Sequence, residues 1–190
     1  MLIVIEGIDG SGKSTIVRFL VEELRKRGYD VVSFKEPTDS EWGRRVRRED
    51  LSPEEELELF LKDREWNVKN NVVPSLKSGK IVIMDRYYHS TIAYQGAKGI
   101  DVDYIRKLNE KFPKPDLVIV LDVNPETALK RIERKRKPSK FEDVEYLRKV
   151  RDIYLSMDDV VIVNAERPIE AVKGEVLDLV LRHISKGLHS

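Results

Sequence analysis

Five short apolar runs punctuate the chain: Leu2 to Ile5, Val31 to Phe34, Ile81 to Met84, Leu117 to Leu121, and Val160 to Val163. None alternates polar with apolar residues, and four are rich in Val and Ile, the pattern of parallel strands buried on both faces. Helical spacing fills the gaps. Ile16, Phe19, Leu20 and Leu24 predict a first helix, with Gly28 as its C-terminal stop. Ser52-Pro53-Glu54-Glu55 reads as a capping box with proline at the first helical position, opening a long helix through Leu57, Phe60 and Leu61. Asn124-Pro125 starts another, carrying Ala128, Leu129 and Ile132. Two more follow from Val144, Leu147, Val150 and Tyr154, and from Ile169, Val172, Val176, Leu179 and Val180. Strand alternating with helix predicts right-handed crossovers and a doubly wound α/β sandwich: a five-stranded parallel sheet with helices on both faces. No repeat or linker interrupts it, so residues 1–190 are expected to form a single domain. Two stretches break the regularity, Glu36 to Leu51 and the basic run Arg131 to Lys140, and both are predicted as loops or mobile segments.

Composition narrows the partners. Lys and Arg total 35 against 34 Asp and Glu, so a net charge of +1 supplies no global field for a nucleic-acid polyanion, and any bound phosphate must be held locally. The absence of cysteine excludes disulfides, thiolate metal ligands and a cysteine nucleophile. No basic leader precedes Leu2, and no apolar run approaches the roughly 18 residues that a membrane span needs. A soluble, cytoplasmic protein without membrane partners is expected.

Gly7-Ile8-Asp9-Gly10-Ser11-Gly12-Lys13-Ser14-Thr15 fits G-x-x-x-x-G-K-[ST] and lies directly between a predicted strand and a predicted helix. Glycines at 7, 10 and 12 permit backbone conformations and close approaches that a Cβ forbids, so successive amides can converge on phosphate oxygens. The helix N-terminus adds partial positive charge. Lys13 is placed to bridge the β- and γ-phosphates of ATP, and the Ser14 hydroxyl to ligate Mg²⁺. A ligand-free glycine turn is the alternative, but such turns rarely have both the strand before and the helix after. A nucleoside triphosphate site is therefore expected.

The use of the triphosphate depends on other residues. A guanine-reading Asn-Lys-x-Asp is absent, since no Asn-Lys pair occurs in the chain. A motor would need a surface for its track, which neither the length nor the charge balance supplies. Transfer to a small acceptor fits better. Asp85-Arg86 ends the third predicted strand, at the sheet edge where open α/β folds bind ligands. Asp85 can hold Mg²⁺ through water, and Arg86 can grip an acceptor phosphate bidentately. An ion pair closing a strand is the plainer reading of these two, and the phosphate loop weighs against it. Asp9, inside the cradle, is expected to turn its carboxylate away from the phosphates and toward an acceptor sugar.

Across most of the chain and in order, these residues resemble the thymidylate kinase family, with a P-loop NTPase-type three-layer sandwich and a short lid over about 131–145. Lys35-Glu36-Pro37 resembles the family's R-E-P loop, with Lys keeping the charge of Arg but losing its fork. Leu59-Phe60-Leu61-Lys62-Asp63-Arg64 is similar to its L-F-x-x-D-R helix, and the resemblance implies that Phe60 stacks on thymine and Arg64 hydrogen-bonds the base. By apolar spacing alone, Phe60 reads as a core aromatic. The segment Asp85 to Gly96 resembles D-R-Y-x-x-S-x-x-A-Y-Q-G. It implies that Arg86 binds the monophosphate, that Ser90, Thr91 and Gln95 approach the base, and that the Tyr94 ring closes the space of a ribose 2′-hydroxyl. Pro115 to Val123 resembles the fourth strand of these kinases, and Arg131 to Tyr154 their lid. In that family a catalytic arginine comes from the P-loop or the lid. Gly10 and Ser11 stand where a P-loop arginine would, so the lid supplies it, as Arg134 or Arg136. Asn164-Ala165-Glu166-Arg167-Pro168 resembles the loop that packs on adenine, with Ala165 as its contact.

The implied activity is transfer of the γ-phosphate of ATP to dTMP, in dTTP synthesis, by a homodimer. Lys13, Arg86, Asp9 and a lid arginine are its candidate catalytic groups. A kinase for another nucleoside monophosphate or a deoxynucleoside, and a regulatory ATP-binding module, are the alternatives.

Overall fold

Pairing among the five strands is parallel throughout, in the order β2-β3-β1-β4-β5: β1 Leu2–Glu6, β2 Val31–Lys35, β3 Ile81–Asp85, β4 Leu117–Asp122 and β5 Val161–Asn164. The computed structural model describes residues 1–139 and 141–187; Lys140, the last residue of the basic run, lies outside them. Because successive side chains of a strand face opposite ways, each central strand supplies two cores. Ile3, Ile5, Ile83 and Ile119 pack with Ile16, Leu20 and Leu24 of α1 (Lys13–Lys26), Leu147 and Val150 of α8 (Val144–Leu155), and Val176 and Val180 of α9 (Ile169–Gly187). Leu2, Val4, Val82, Met84 and Val118 form the other core with Val68, Val72, Tyr87 and Phe112. Each such side chain, fully buried, contributes about 1.5–3 kcal/mol. Helices thus cover both faces, as expected.

Burial on both faces does not extend to the edges. β2 alternates more and less exposed positions, and Val161 and Ile162 of β5 are 37% and 40% exposed. Apolar runs cannot separate central from edge strands, because β-branched residues suit an extended backbone in either place.

A second correction concerns Glu36 to Leu51, which holds the helix α2, Glu41–Arg48. Its order comes from its neighbours. The Ser40 hydroxyl caps it by accepting the Gly43 N–H at 3.1 Å, and Asp63, buried on α3 (Pro53–Asn67), accepts the Thr38 N–H at 2.9 Å and the Ser40 hydroxyl at 2.6 Å. A side chain on Gly43 would strike the Thr38 carbonyl. The α3 capping box forms as predicted: Ser52 N–H donates to Glu55 at 2.8 Å, and Glu55 N–H donates to Ser52 Oγ at 3.2 Å. A π-helical turn, Val68–Val72, leads from α3 into α4, Val73–Lys77. Helices α5 (Tyr88–Ala97) and α6 (Val102–Asn109) lie between β3 and β4, and α7 (Pro125–Glu133) follows β4. Residues 134–143, between α7 and α8, make up most of the expected lid. Among the described residues no helix is long and apolar enough to cross a membrane.

The end of α1 shows how one glycine stops a helix. Gly28 has φ 86°, its N–H donates to Arg25 O at 2.9 Å, and the Tyr29 N–H donates to Leu24 O at 3.1 Å, the paired bonds of a Schellman turn. A Cβ at this position would meet no atom within 4 Å, so substitution tests backbone conformation alone. Gly28→Ala is expected to lower stability by about 1 kcal/mol, read as a lower urea midpoint at unchanged slope.

Candidate active site

The site grows from the carboxyl ends of β1 and β3, which lie side by side with Ile5 opposite Asp85. Beyond β1 the chain turns through Gly7 (φ 140°), Gly10 (φ 82°) and Gly12 (φ 97°) into α1. A Cβ on Gly7 would stand 2.6 Å from the Leu121 carbonyl, and one on Gly10 would strike that of Ala128. Gly12 is the N-cap of α1, which carries no side-chain cap and no acid in its first turn. No side chain of its own first turn therefore occupies its first amides at the positive end of the helix dipole. Ser14 and Thr15 are exposed there.

Lys13 is buried, its ammonium donating to the Ile8 carbonyl at 2.9 Å. Burial, reinforced by the Arg86 cation, lowers its pKa to about 8. Ser14 Oγ donates to Asp85 Oδ2 at 2.7 Å, while the buried Asp85 Oδ1 has no hydrogen-bond partner. An oriented hydroxyl beside an orphaned carboxylate oxygen, next to a phosphate loop, is a donor set that suits Mg²⁺. Among the described residues no cluster of three His, Asp or Glu side chains could hold a metal, so such an ion would draw most of its ligands from phosphate and water.

Arg86, the first residue after β3, has a left-handed backbone (φ 71°), which costs an ordinary residue about 1–2 kcal/mol. Its guanidinium donates to Gly7 O at 3.2 Å and Ser90 Oγ at 2.9 Å, and pairs with Asp9 Oδ1 at 2.6 Å. Burial alone would raise the Asp9 carboxyl, but Arg86 and Lys13 outweigh it and hold the pKa at about 2. The Tyr94 hydroxyl lies 3.1 Å from the Asp9 N–H and 3.3 Å from its carboxylate, and burial pushes the phenol upward. Glu6 sits behind this group. Fully buried, it accepts from the N–H groups of Tyr87 (2.8 Å) and Ser90 (3.0 Å) and from the hydroxyls of Ser90 (2.6 Å) and Tyr154 (2.8 Å).

A cavity of about 860 Å³ opens from Asp9 and Arg86 between α3, α5 and the lid. Glu36, Pro37, Phe60, Arg64, Ser90, Thr91, Tyr94 and Arg136 all line it. Arg64 is 1% exposed; it pairs with Glu36 at 2.8 Å and donates to Asn109 Oδ1 at 2.7 Å and Thr91 Oγ1 at 3.0 Å. Burial pushes the Glu36 carboxyl upward, opposed by Arg64. Phe60 is half-buried at the wall rather than in either core.

Of the candidates expected on the acceptor side or in the lid, two fall outside the lining. Gln95 is fully buried with its amide nitrogen on Glu56 at 2.9 Å, and Arg134 is exposed just beyond α7. Arg136 instead pairs with Glu142 at 2.5 and 2.8 Å at the cavity wall. On the other side of the phosphate loop Ala165 is buried, and Arg131 of α7 spans from Gly10 O (3.3 Å) to Ala165 O (3.2 Å). Arg131, Glu6, Asp63 and Glu142 were not singled out by sequence. Glu6 carries the clearest signal, an acid at the end of an otherwise apolar strand.

A phosphate-loop lysine, a carboxylate and hydroxyl suited to Mg²⁺, and a strand-end arginine facing the adjacent cavity together suit phosphoryl transfer between two small molecules. The family profile described as thymidylate kinase matches residues 5–176. The chain belongs to the thymidylate kinase family. It is 55% identical over 181 residues to a probable thymidylate kinase of Archaeoglobus fulgidus, covering 93% of this chain and 92% of that protein. It is 41% identical to a probable thymidylate kinase of Thermococcus onnurineus (98% and 100% covered) and 42% identical to a thymidylate kinase of Xylella fastidiosa (95% and 90%).

Lys13 leads to a pH prediction. In the free protein its ammonium gives up its proton near pH 8, and a polyphosphate beside it restores the charged form by attraction. Between about pH 8 and the raised value, nucleotide binding must take up a proton, so affinity falls as pH rises through this range. Calorimetry at about pH 9 in two buffers of different ionisation enthalpy is expected to show uptake approaching one proton, with little at about pH 7.

Proposed function

We propose that this protein is a thymidylate kinase that transfers the γ-phosphate of ATP to dTMP, giving dTDP and ADP for dTTP synthesis. The observation that carries the reading is Arg86, whose guanidinium touches both the Gly7 carbonyl of the phosphate loop and the mouth of the acceptor cavity. ATP lies with its triphosphate on the amides of Gly7 to Thr15 and its adenine against the Ala165 loop. dTMP lies in the cavity, its phosphate on Arg86 and its base beside Phe60, Arg64 and Thr91. Gln95 acts from behind the wall.

An oxygen of the dTMP phosphate attacks the γ-phosphorus, a new P–O bond forms, and the bond to the β-bridging oxygen breaks to release ADP. The protein's contribution is positioning and charge. Lys13 exchanges the Ile8 carbonyl for the β- and γ-phosphates. Asp9, held ionised, orients Arg86 on the acceptor side. Arg136 supplies the lid cation, leaving Glu142 to reach the transferring group; Arg134, outside the lining, is the second lid candidate. Ser14 and Asp85 would hold Mg²⁺, which when bound neutralises charge on the β- and γ-oxygens. A lid over about 131–145 closes on the reactants and excludes water. Residues 1–190 act as one such domain, in a cytoplasmic homodimer.

ADP release from Mg·ATP is expected to be fast with dTMP and slow with dCMP, dGMP, dAMP, thymidine or no acceptor. Equal turnover without acceptor would sink the assignment. Tyr94 makes a second point. Its ring, packed edge-on to Tyr146 at 5.9 Å, is what would exclude a 2′-hydroxyl. Tyr94→Phe should keep the preference for dUMP over UMP, while Tyr94→Ser should relax it by up to about a hundredfold, read from kcat/KM for each.

A further inference from the structure

We infer that Glu6 is a positioning residue for phosphoryl transfer: its carboxylate sets where the Arg86 guanidinium, and so the acceptor phosphate, stands relative to the phosphate loop. The inference rests on the kinase reading above and extends it to a residue that touches neither substrate.

Glu6 is the last residue of β1 and the one before Gly7, so it is anchored to the sheet and to the phosphate loop at once. All of its described side-chain hydrogen bonds run the other way, to the segment after β3 and to α8. Oε1 accepts both the Tyr87 and Ser90 N–H groups, the N-cap and N3 amides of α5, whose own N-cap residue provides no side-chain cap. An acid from another strand therefore caps this helix, and it clamps the residues that follow the left-handed backbone of Arg86.

Oε2 reaches the guanidinium through one intermediary. Ser90 has a single hydroxyl proton, and the 2.6 Å contact to Glu6 directs it to the carboxylate. The Ser90 lone pairs are thereby left to accept from Arg86 Nη1 at 2.9 Å. Tyr154, fully buried on α8, lies beside both groups, its hydroxyl 2.8 Å from Oε2 and 3.0 Å from Ser90 Oγ. The cluster of Glu6, Tyr154 and Ser90 thus holds a guanidinium that needs its angle as well as its charge, because bidentate phosphate binding is directional.

Two substitutions test reach and acceptor separately. Glu6→Gln keeps the length and one oxygen for both amides, but it puts an NH₂ donor where Ser90 donates, so the Ser90 proton is turned back toward Arg86. Glu6→Asp keeps the charge and falls one methylene short. If Glu6 acts by position, both variants raise the dTMP KM and lower kcat about tenfold each, with the ATP KM within about twofold. A role in folding alone would lower kcat with the folded fraction and move neither KM, and that result would overturn the inference. So would Glu6→Asp matching the parent, which would point to charge alone, or Glu6→Gln matching it, which would leave the Ser90 orientation without effect. Should Glu6→Asp fail to fold, Tyr154→Phe removes the hydroxyl that contacts both Glu6 and Ser90; a dTMP KM at least twofold higher supports the inference and an unchanged one overturns it. A parent enzyme that does not phosphorylate dTMP would overturn the functional reading and this inference together, whereas an active parent with indifferent variants would overturn this inference alone.

Discussion

Parallel pairing of β1 with β3 is the constraint from which the site follows. With Ile5 opposite Asp85, the phosphate loop and the segment beginning at Arg86 leave the sheet side by side, and the Arg86 N–H is still bonded to Ile5 O at 3.1 Å. Ser14 can then meet Asp85, and Arg86 can meet Gly7 and Asp9, although 71 to 79 residues separate the partners. A shift of one residue in that pairing would send alternate side chains into the opposite core. The two hydrophobic cores therefore hold the register, and the register holds the chemistry.

Charge is handled by pairing rather than by net excess. Asp9, Arg86, Lys13, Asp85 and Glu6 crowd a small volume, yet each anion lies near a cation or several donors. Burial works against the Lys13 and Asp9 charges alike, but the balance differs: Lys13 is drawn down to about 8, while Asp9 is held at about 2 by its two cationic neighbours. The two cations are thus gathered in the fold ahead of any ligand, beside three carboxylates that offset their charge.

The acceptor cavity depends on a different device, a buried polar network. Arg64 is enclosed by Glu36, Asn109 and Thr91, and Asp63, the residue before it, gathers Thr38 and Ser40. One turn of α3 therefore shapes both the cavity wall and the loop leading into α2. Such networks favour a unique geometry when their members are paired, and here the Arg64 guanidinium and the Ser40 hydroxyl find partners on other elements, while Asn109 donates back into its own helix.

The strands, the glycine turn and the α3 capping box were legible in the sequence because each depends on neighbours along the chain: apolar runs, positive φ, a hydroxyl three residues from a glutamate. Lys13, Ser14, Asp85 and Arg86 were legible for the same reason, each tied to the end of a predicted strand or the start of a predicted helix. The helix α2 was not, since its eight residues owe their order to Asp63, and neither were the exposed edges of β2 and β5, since an apolar run does not show what covers it. Whether Arg134 or Arg136 faces the cavity, that Gln95 turns to Glu56, and that Glu6 caps a helix begun 82 residues later were decided only by tertiary structure. Local propensity and motif spacing act over a few residues, whereas a side chain's partners are set by which elements the cores bring together.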